Sequence, residues 1–185
     1  EHVIQAFIAA EDRRFFDHPG IDYQGTLRAA LNILVTGKIS GGGSTLTQQL
    51  ARDYFLNRKR LFTRKILEAF LAYNIEQEFT KKEIMTLFVN KMFFGQRAYG
   101  VAAAAQVFFG KNISNINIAE AATLAGVLPA PSNYNPVRSP NLAKIRRDYV
   151  LSGMLQLGFI DDENYSNSIE YPVISKLHGT ASELS

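Results

Sequence analysis

The sequence predicts an all-α, mostly helical domain, and three observations carry that expectation. No proline lies between Pro19 and Pro129, a stretch rich in Ala, Leu and Ile, and proline-free segments of good helix formers favour helices. Apolar residues recur at three- and four-residue intervals along it. Capping residues stand where helices would start and glycines where they would stop. With 185 residues, the chain has the length of one domain. A chain of that size buries roughly 70% of its unfolded surface and needs no staples.

Taken in order, Val3, Ile4, Phe7 and Ile8, continued by Phe15, make the apolar face of an opening helix. Asp17-His-Pro-Gly20 is a turn, and Ala29 to Val35 is helical with Gly37 as its stop. Ser40-Gly-Gly-Gly-Ser44 is a flexible glycine run of the kind found where backbone meets a ligand or a loop moves. Thr45-Leu-Thr-Gln48 reads as a capping box that opens a helix towards Phe55. Leu61 to Phe79 carries Ile66, Leu67, Phe70, Leu71 and Ile75 at helical spacing. Thr80-Lys-Lys-Glu83 is a second capping box, leading into Ile84, Leu87 and Phe88. Ala102 to Phe109 is a small-residue helix ended by Gly110, and Ala119 to Leu128 is another. Pro129 to Pro140 reads as an extended connector, Ser139-Pro140 as a helix start and Gly158 as a stop. Residues 1–168 are expected to form the domain, and the weakly patterned 169–185 a C-terminal extension or the start of a linker, with Tyr171 to Ile174 a short strand or part of that linker.

Composition narrows the chemistry. The absence of cysteine excludes disulfides, thiol catalysis and Cys-ligated zinc, and His2, His18 and His178 are too scattered for a zinc motif. The formal charge of +3 is unevenly placed. Arg52, Arg58, Lys59, Arg60, Arg64 and Lys65 against Asp53 alone give a block of +5, so the remainder is −2. A local basic block on a near-neutral chain implies a negatively charged partner that docks at one place. Tyr54, Phe55, Leu56, Leu61 and Phe62 interleave with it. That mixture suits anionic lipid headgroups better than nucleic acid, for which no binding motif is present. No apolar run reaches the roughly 18 residues of a membrane span. The chain opens at Glu1 without Met or signal peptide, and so reads as an excised piece whose anchor lies outside it.

Three features could carry chemistry. Glu11 interrupts the stripe Ile4, Ile8, Phe15, where a carboxylate is costly unless paired or functional. A desolvated carboxylate suits general acid–base work, and pairing with Arg14 is the alternative. Glu68 follows Arg64 and Lys65 by four and three residues on one helix face. Alone, that is an ordinary surface ion-pair cluster. At the end of the basic block it supplies a second carboxylate flanked by cations, and two carboxylates in different environments suit work at a sugar anomeric centre. Gly41 to Gln49 would place Ser44, Thr45, Thr47, Gln48, Gln49 and backbone N–H groups at a helix N-terminus, a fit for phosphate or sugar hydroxyls or simply a capped helix after a linker.

In order along the chain, these pieces resemble the glycosyltransferase domain of peptidoglycan polymerases, glycosyltransferase family 51, found in class A penicillin-binding proteins and monofunctional transglycosylases. Glu11-Asp-Arg-Arg-Phe-Phe-Asp-His18-Pro-Gly20 is similar to the family's first signature and Gly42-Gly-Ser-Thr-Leu-Thr-Gln-Gln49 to the second. Arg64-Lys-Ile-Leu-Glu68 is similar to the third, Phe88-Val-Asn90 with Phe94-Gly95 to the fourth, and Glu120-Ala-Ala-Thr-Leu-Ala125 up to Pro131 to the fifth. They cover residues 1 to about 155. Two departures stand out: Phe88 where the family usually has Tyr, and Arg52 where it often has Lys.

The resemblance implies a lysozyme-like, two-lobed fold with a mobile loop around 38–44. It implies transfer with inversion, in which Glu11 is the general base that activates the acceptor, lipid II, and a polyprenyl pyrophosphate leaves with help from Glu68, Arg64 and Lys65. Asp12, Phe16 and His18 would hold the first motif, while Ser44, Thr45, Gln48, Gln49, Arg52, Arg60 and Asn90 would contact substrate. No organic cofactor is implied; a divalent metal, Mg or Mn, has room to assist, with no ligand assigned. The expected partners are lipid II, the growing glycan, the membrane surface and a transpeptidase domain in the same protein, with no nucleic acid. The expected place is the outer face of the bacterial cytoplasmic membrane. A lysozyme-like hydrolase is the nearest rival, since two carboxylates also suit glycan cleavage. It offers no use for the basic block, which a departing pyrophosphate needs. A non-enzymatic basic module is the other, and it gives no reason for Glu11.

Overall fold

The computed structural model describes residues 1–37, 43–55 and 62–179. The loop expected to be mobile at 38–44 falls largely outside them, as do Leu56, Arg58, Lys59, Arg60 and Leu61, and the side chains of Phe55 and Phe62. The described chain is all-α as expected: α1 His2–Glu11, α2 Tyr23–Thr36, α3 Leu46–Phe55, α4 Phe62–Glu78, α5 Lys81–Lys91, α6 Val101–Phe109, α7 Ile118–Val127, α8 Pro140–Gln156 and α9 Asp162–Glu170. No strand forms among the described residues; one isolated bridge joins Phe93 and Tyr99. The helices fall into two compact units, Glu11–Phe88 and Glu1–Ala10 with Val89–Ser185.

In the unit Glu11–Phe88, α3 packs on α4 and the core is Phe15, Leu46, Leu50, Ala51, Ala72, Ile84, Met85 and Phe88. Both expected capping boxes form. Thr45 N–H donates to Gln48 Oε1 at 3.0 Å and Gln48 N–H to Thr45 Oγ1 at 3.1 Å. Thr80 N–H donates to Glu83 Oε2 at 2.8 Å and Glu83 N–H to Thr80 Oγ1 at 3.3 Å. The Thr80 hydroxyl, then its N–H, hold the Glu83 carboxyl below its usual range. Helix α2 starts earlier than expected, because Asp22 accepts from the Gly25 N–H at 2.9 Å and so caps it.

Three expectations change here. Helix α1 ends at Glu11, so Phe15 belongs to the following turn, where it is buried without continuing the helical stripe. On α4 the apolar stripe divides: Ile66, Leu67 and Phe70 are exposed and Leu71 is half-buried, while Ile75 is buried beside Glu68 and Ala72. Positions 68, 72 and 75 share a face at the same helical spacing, so periodicity alone could not tell the two faces apart. The connector from Pro129 to Ser139 is a series of turns, in which Asn135 Oδ1 accepts from the N–H groups of Val137 and Arg138 at 2.9 and 3.0 Å.

In the other unit, α7 is buried from Ala119 to Val127 and packs on α8 and α9. Its N-terminus is a full capping box between Asn117 and Glu120. Phe7 meets Phe94 edge to face at 6.0 Å. Arg147 on α8 is fully buried and donates to the carbonyls of Ile169, at 2.9 Å, and Tyr171, so a charge-assisted pair caps the end of α9. The chain beyond α9 follows α6: Ser175 Oγ donates to Phe108 O at 2.7 Å and His178 N–H to Val107 O at 2.9 Å.

Gly20 is the position where glycine is obligatory near the first motif. Its φ is +88°, and a Cβ there would stand 2.7 Å from the Ala72 carbonyl oxygen on α4. Gly20→Ala should lower stability by about 2 kcal/mol or more, read as a drop in Tm. An unchanged Tm would mean that the turn does not press on α4.

Candidate active site

The acidic and polar residues of the first three motifs gather in the unit Glu11–Phe88 around the N-terminal half of α3. Glu11 is the last residue of α1 and half-buried. Its Oε2 accepts from Gln49 Nε2 at 3.0 Å, so α3 orients this carboxylate directly. Arg14, the alternative partner for Glu11, is engaged with Asp22 at 2.9 Å and Asp17 at 3.6 Å.

Asp12, next in sequence, faces inward. Both of its oxygens lie 3.0 Å from His18 Nε2, and Oδ2 also accepts from the Leu46 N–H, the first residue of α3, at 3.0 Å. The pair is buried. His18 Nδ1 is buried as well and makes no hydrogen bond among the described residues. The hydrogen that Nε2 points at Asp12 is the one these contacts require. Phe16 is exposed and lies edge-on to Phe15 at 5.3 Å. The aromatic that anchors this turn is Phe15, whose ring also meets that of His18.

Glu68 is far from a surface ion pair. It is 1% exposed, with Arg64 Nε 3.1 Å from Oε1 and Lys65 Nζ 2.8 Å from Oε2. The Arg64 contact is an ion pair without hydrogen-bond alignment. A buried carboxylate of this kind is tolerable only because two cations compensate it. Lys65 is half-exposed and also donates to Ser44 Oγ at 2.7 Å, beside the start of α3. Helix α3 is thus the common reference for both carboxylates, through Gln49 to Glu11 and through Ser44 and Lys65 to Glu68.

Other expected substrate contacts fare differently. Thr45 and Gln48 are buried, and their oxygens serve the cap of α3, with Thr45 Oγ1 donating to Gly20 O at 2.6 Å. Arg52 pairs with Asp53 at 3.4 Å. Asn90 lies in the other unit, where it is exposed, and Arg60 is outside the described residues. Among the described residues no group of three or more His, Asp or Glu could hold a metal. The donors present therefore do not form a protein cage for the divalent ion that the resemblance allows.

One cluster escaped the sequence reading. Lys81 Nζ donates to His18 O at 2.7 Å and to Glu76 Oε1 at 2.8 Å, and Thr47 Oγ1 donates to the same Glu76 oxygen at 2.6 Å. Glu76 and Lys81 sit on either side of the break between α4 and α5, a spacing for which helix periodicity gives no signal.

The sequence model of one family, Transglycosylase, matches residues 1–155. The chain belongs to the transglycosylase family. Transglycosylase relatives include penicillin-binding protein 1A of Pseudomonas aeruginosa, 46% identical over 181 residues, which cover 98% of this chain and 22% of that protein. Penicillin-binding protein 1A of Aquifex aeolicus is 49% identical over 95% of this chain and 24% of its own length. This transglycosylase chain therefore spans under a quarter of either relative. A crystal structure of penicillin-binding protein 1A from Haemophilus influenzae matches 74% of the chain and 17% of its own, at 31% identity and a TM-score of 0.49.

The Asp12 carboxylate should be a stability determinant of this unit. Asp12→Ala strands the Leu46 N–H in a fully buried position, at a cost of roughly 1–3 kcal/mol. A thermal melt checks this, and a Tm equal to that of the parent would remove Asp12 from the frame.

Proposed function

We propose that the unit Glu11–Phe88 is the polymerising site of a peptidoglycan glycosyltransferase that joins lipid II into glycan strands. The observation that carries this reading is the buried Glu68 between Arg64 and Lys65, with the Lys65 ammonium half-exposed at Ser44. A departing pyrophosphate needs preorganised cations at the point where its charge develops. A hydrolase of neutral glycan does not.

The step follows from these groups. Glu11 takes the proton of the acceptor's sugar 4-hydroxyl as that oxygen bonds to the anomeric carbon of the donor. The bond from that carbon to the pyrophosphate oxygen breaks on the opposite face, its electron pair leaves with the polyprenyl pyrophosphate, and the configuration inverts from α to β. Gln49 orients the base, and Lys65 and Arg64 receive the leaving charge, with Glu68 fixing both cations between turnovers. A divalent ion that arrives with the pyrophosphate would add charge of the same sign there.

The reading also sets the chain at a membrane, on the outer face of the cytoplasmic membrane where lipid-linked substrate is met. Helix α2 leaves Leu27, Leu31, Leu34 and Val35 exposed, the last two by 81% and 84%, and α4 leaves Ile66, Leu67 and Phe70 exposed. Apolar residues in such numbers on one unit suit a lipid surface better than water. No helix among the described residues is long and apolar enough to cross the bilayer. A transpeptidase portion in the same protein is part of the reading, in keeping with the small share of its relatives that the chain spans.

Glu11→Gln should lower lipid II polymerisation by about 10²- to 10⁴-fold, the usual worth of a positioned base, with Tm unchanged; Glu68→Gln should lower it by a smaller factor. Incubation with lipid II and with preformed glycan separates transfer from hydrolysis. Full polymerisation by Glu11→Gln, or cleavage of glycan without use of lipid II, would sink the assignment. Separately, the combined replacement Leu34→Ser, Val35→Ser and Phe70→Ser should weaken binding to anionic phospholipid vesicles by about tenfold or more. Equal binding would put the membrane contact on another surface.

A further inference from the structure

Glu11 and Gln49 sit on different helices, and their 3.0 Å contact needs α3 to be fixed against the turn that follows α1. Two ties do this. One is Asp12, which links that turn to the Leu46 N–H and to His18. The other starts at the far end of the same turn. The His18 carbonyl accepts from Lys81 Nζ at 2.7 Å, Lys81 pairs with Glu76 at 2.8 Å, and Glu76 accepts from the Thr47 hydroxyl at 2.6 Å. Thr47 is two residues before Gln49 on α3. The circuit closes: Glu11, Asp12, His18, Lys81, Glu76, Thr47, Gln49 and back to Glu11.

The second tie has the properties of a built feature. Glu76 is only 6% exposed at its side chain and Lys81 is mostly buried. The ammonium also sits 4.4 Å from the centre of the Phe15 ring, the anchor of the turn. A desolvated ion pair with a third hydrogen bond on the same oxygen is stiff and directional. It is of little use as a general stabiliser, since an apolar trio of the same volume serves as well or better. Its distinctive property is geometric, because it fixes three separate elements to one point.

We propose that Lys81, with Glu76 and Thr47, is a positioning group that sets the Gln49–Glu11 contact and so keeps the base in register. The inference rests on the reading of Glu11 as the base. Its structural half can be tested without that reading. In the protein labelled with nitrogen-15, the side-chain amide of Gln49, assigned by its loss in Gln49→Leu, should shift in acid as Glu11 takes up its proton. That shift should be lost in Lys81→Met and reduced in Thr47→Val, a near-isosteric variant that guards against misfolding, and Lys81→Arg should restore it. An amide that titrates as in the parent in both variants overturns the proposal.

The kinetic half uses lipid II. Lys81→Met should lower kcat by about 10- to 100-fold, the scale of a small misplacement of a reacting group, and leave KM little changed. In a Gln49→Leu background the same change should cost clearly less, because the route through Thr47 and Gln49 is already cut and only the one through His18 and Asp12 remains. An equal proportional loss in both backgrounds means that Lys81 acts independently of Gln49 and overturns the proposal. A lost amide titration with kcat intact would uphold the positioning role and instead overturn the assignment of Glu11 as base.

Discussion

The Asp12 carboxylate is the constraint on which the site depends. It is a buried anion with three hydrogen-bond contacts from two elements: His18 at both oxygens and the backbone N–H of Leu46 at one. A buried charge forces this kind of order, since each unmet oxygen would cost as much as a lost hydrogen bond or more. Where Asp12 goes, the end of α1, the turn to His18 and the start of α3 must follow. Gln49 and Ser44 then take their places from α3, and the two candidate carboxylates take theirs from Gln49 and from Lys65.

Helix α4 shows a second constraint. Its buried face holds Glu68, Ala72, Ile75 and the side chain of Glu76, and its outer face Ile66, Leu67, Phe70 and Tyr73. This partly inverts the pattern of a helix that packs in water. Two buried carboxylates on one helix are stable only because Arg64, Lys65, Lys81 and Thr47 meet them. The outward aromatic and aliphatic groups need a surface less polar than water to be at ease. The inversion thus links the interior chemistry of the unit to the setting proposed for its exterior.

What the sequence made legible was local. The capping boxes at Thr45–Gln48 and Thr80–Glu83, the left-handed stop at Gly110 and the proline start of α8 all depend on residues within a few positions of one another. Each formed as expected. The box at Asn117–Glu120 follows the same pattern and was open to the same reading, as was the start of α9 at Asp161, whose side chain accepts from the Asn164 N–H. Direction was the harder matter. Period fixes that α4 has faces and leaves open which one is inside, because its buried carboxylates are compensated by partners far along the chain. The Lys65–Ser44 and Glu76–Thr47 contacts span 21 and 29 residues, and no spacing rule reaches that far. Family motifs named Glu11, Asp12, His18, Gln49 and Glu68, which lie in one unit, yet did not mark Thr45 and Gln48 as side chains that cap a helix.

Adjacent acids placed in opposite fields let one short motif hold a frame at Asp12 and, under the proposed function, a base at Glu11. The Asp12 anion meets the first N–H of α3, the positive end of that helix, and is matched by it. The Glu11 side chain is carried by the last residue of α1, where the carbonyl end of a helix opposes negative charge. One carboxylate is therefore buried and bonded at both oxygens, while its neighbour stands half-buried at the end of α1, with the Gln49 amide to aim it. The break in α1 after Glu11 enforces the split, since a continued helix would have carried both residues in the same field. The early end of α1, which the apolar stripe to Phe15 did not foretell, therefore sets the two acids apart in the way the proposed function needs.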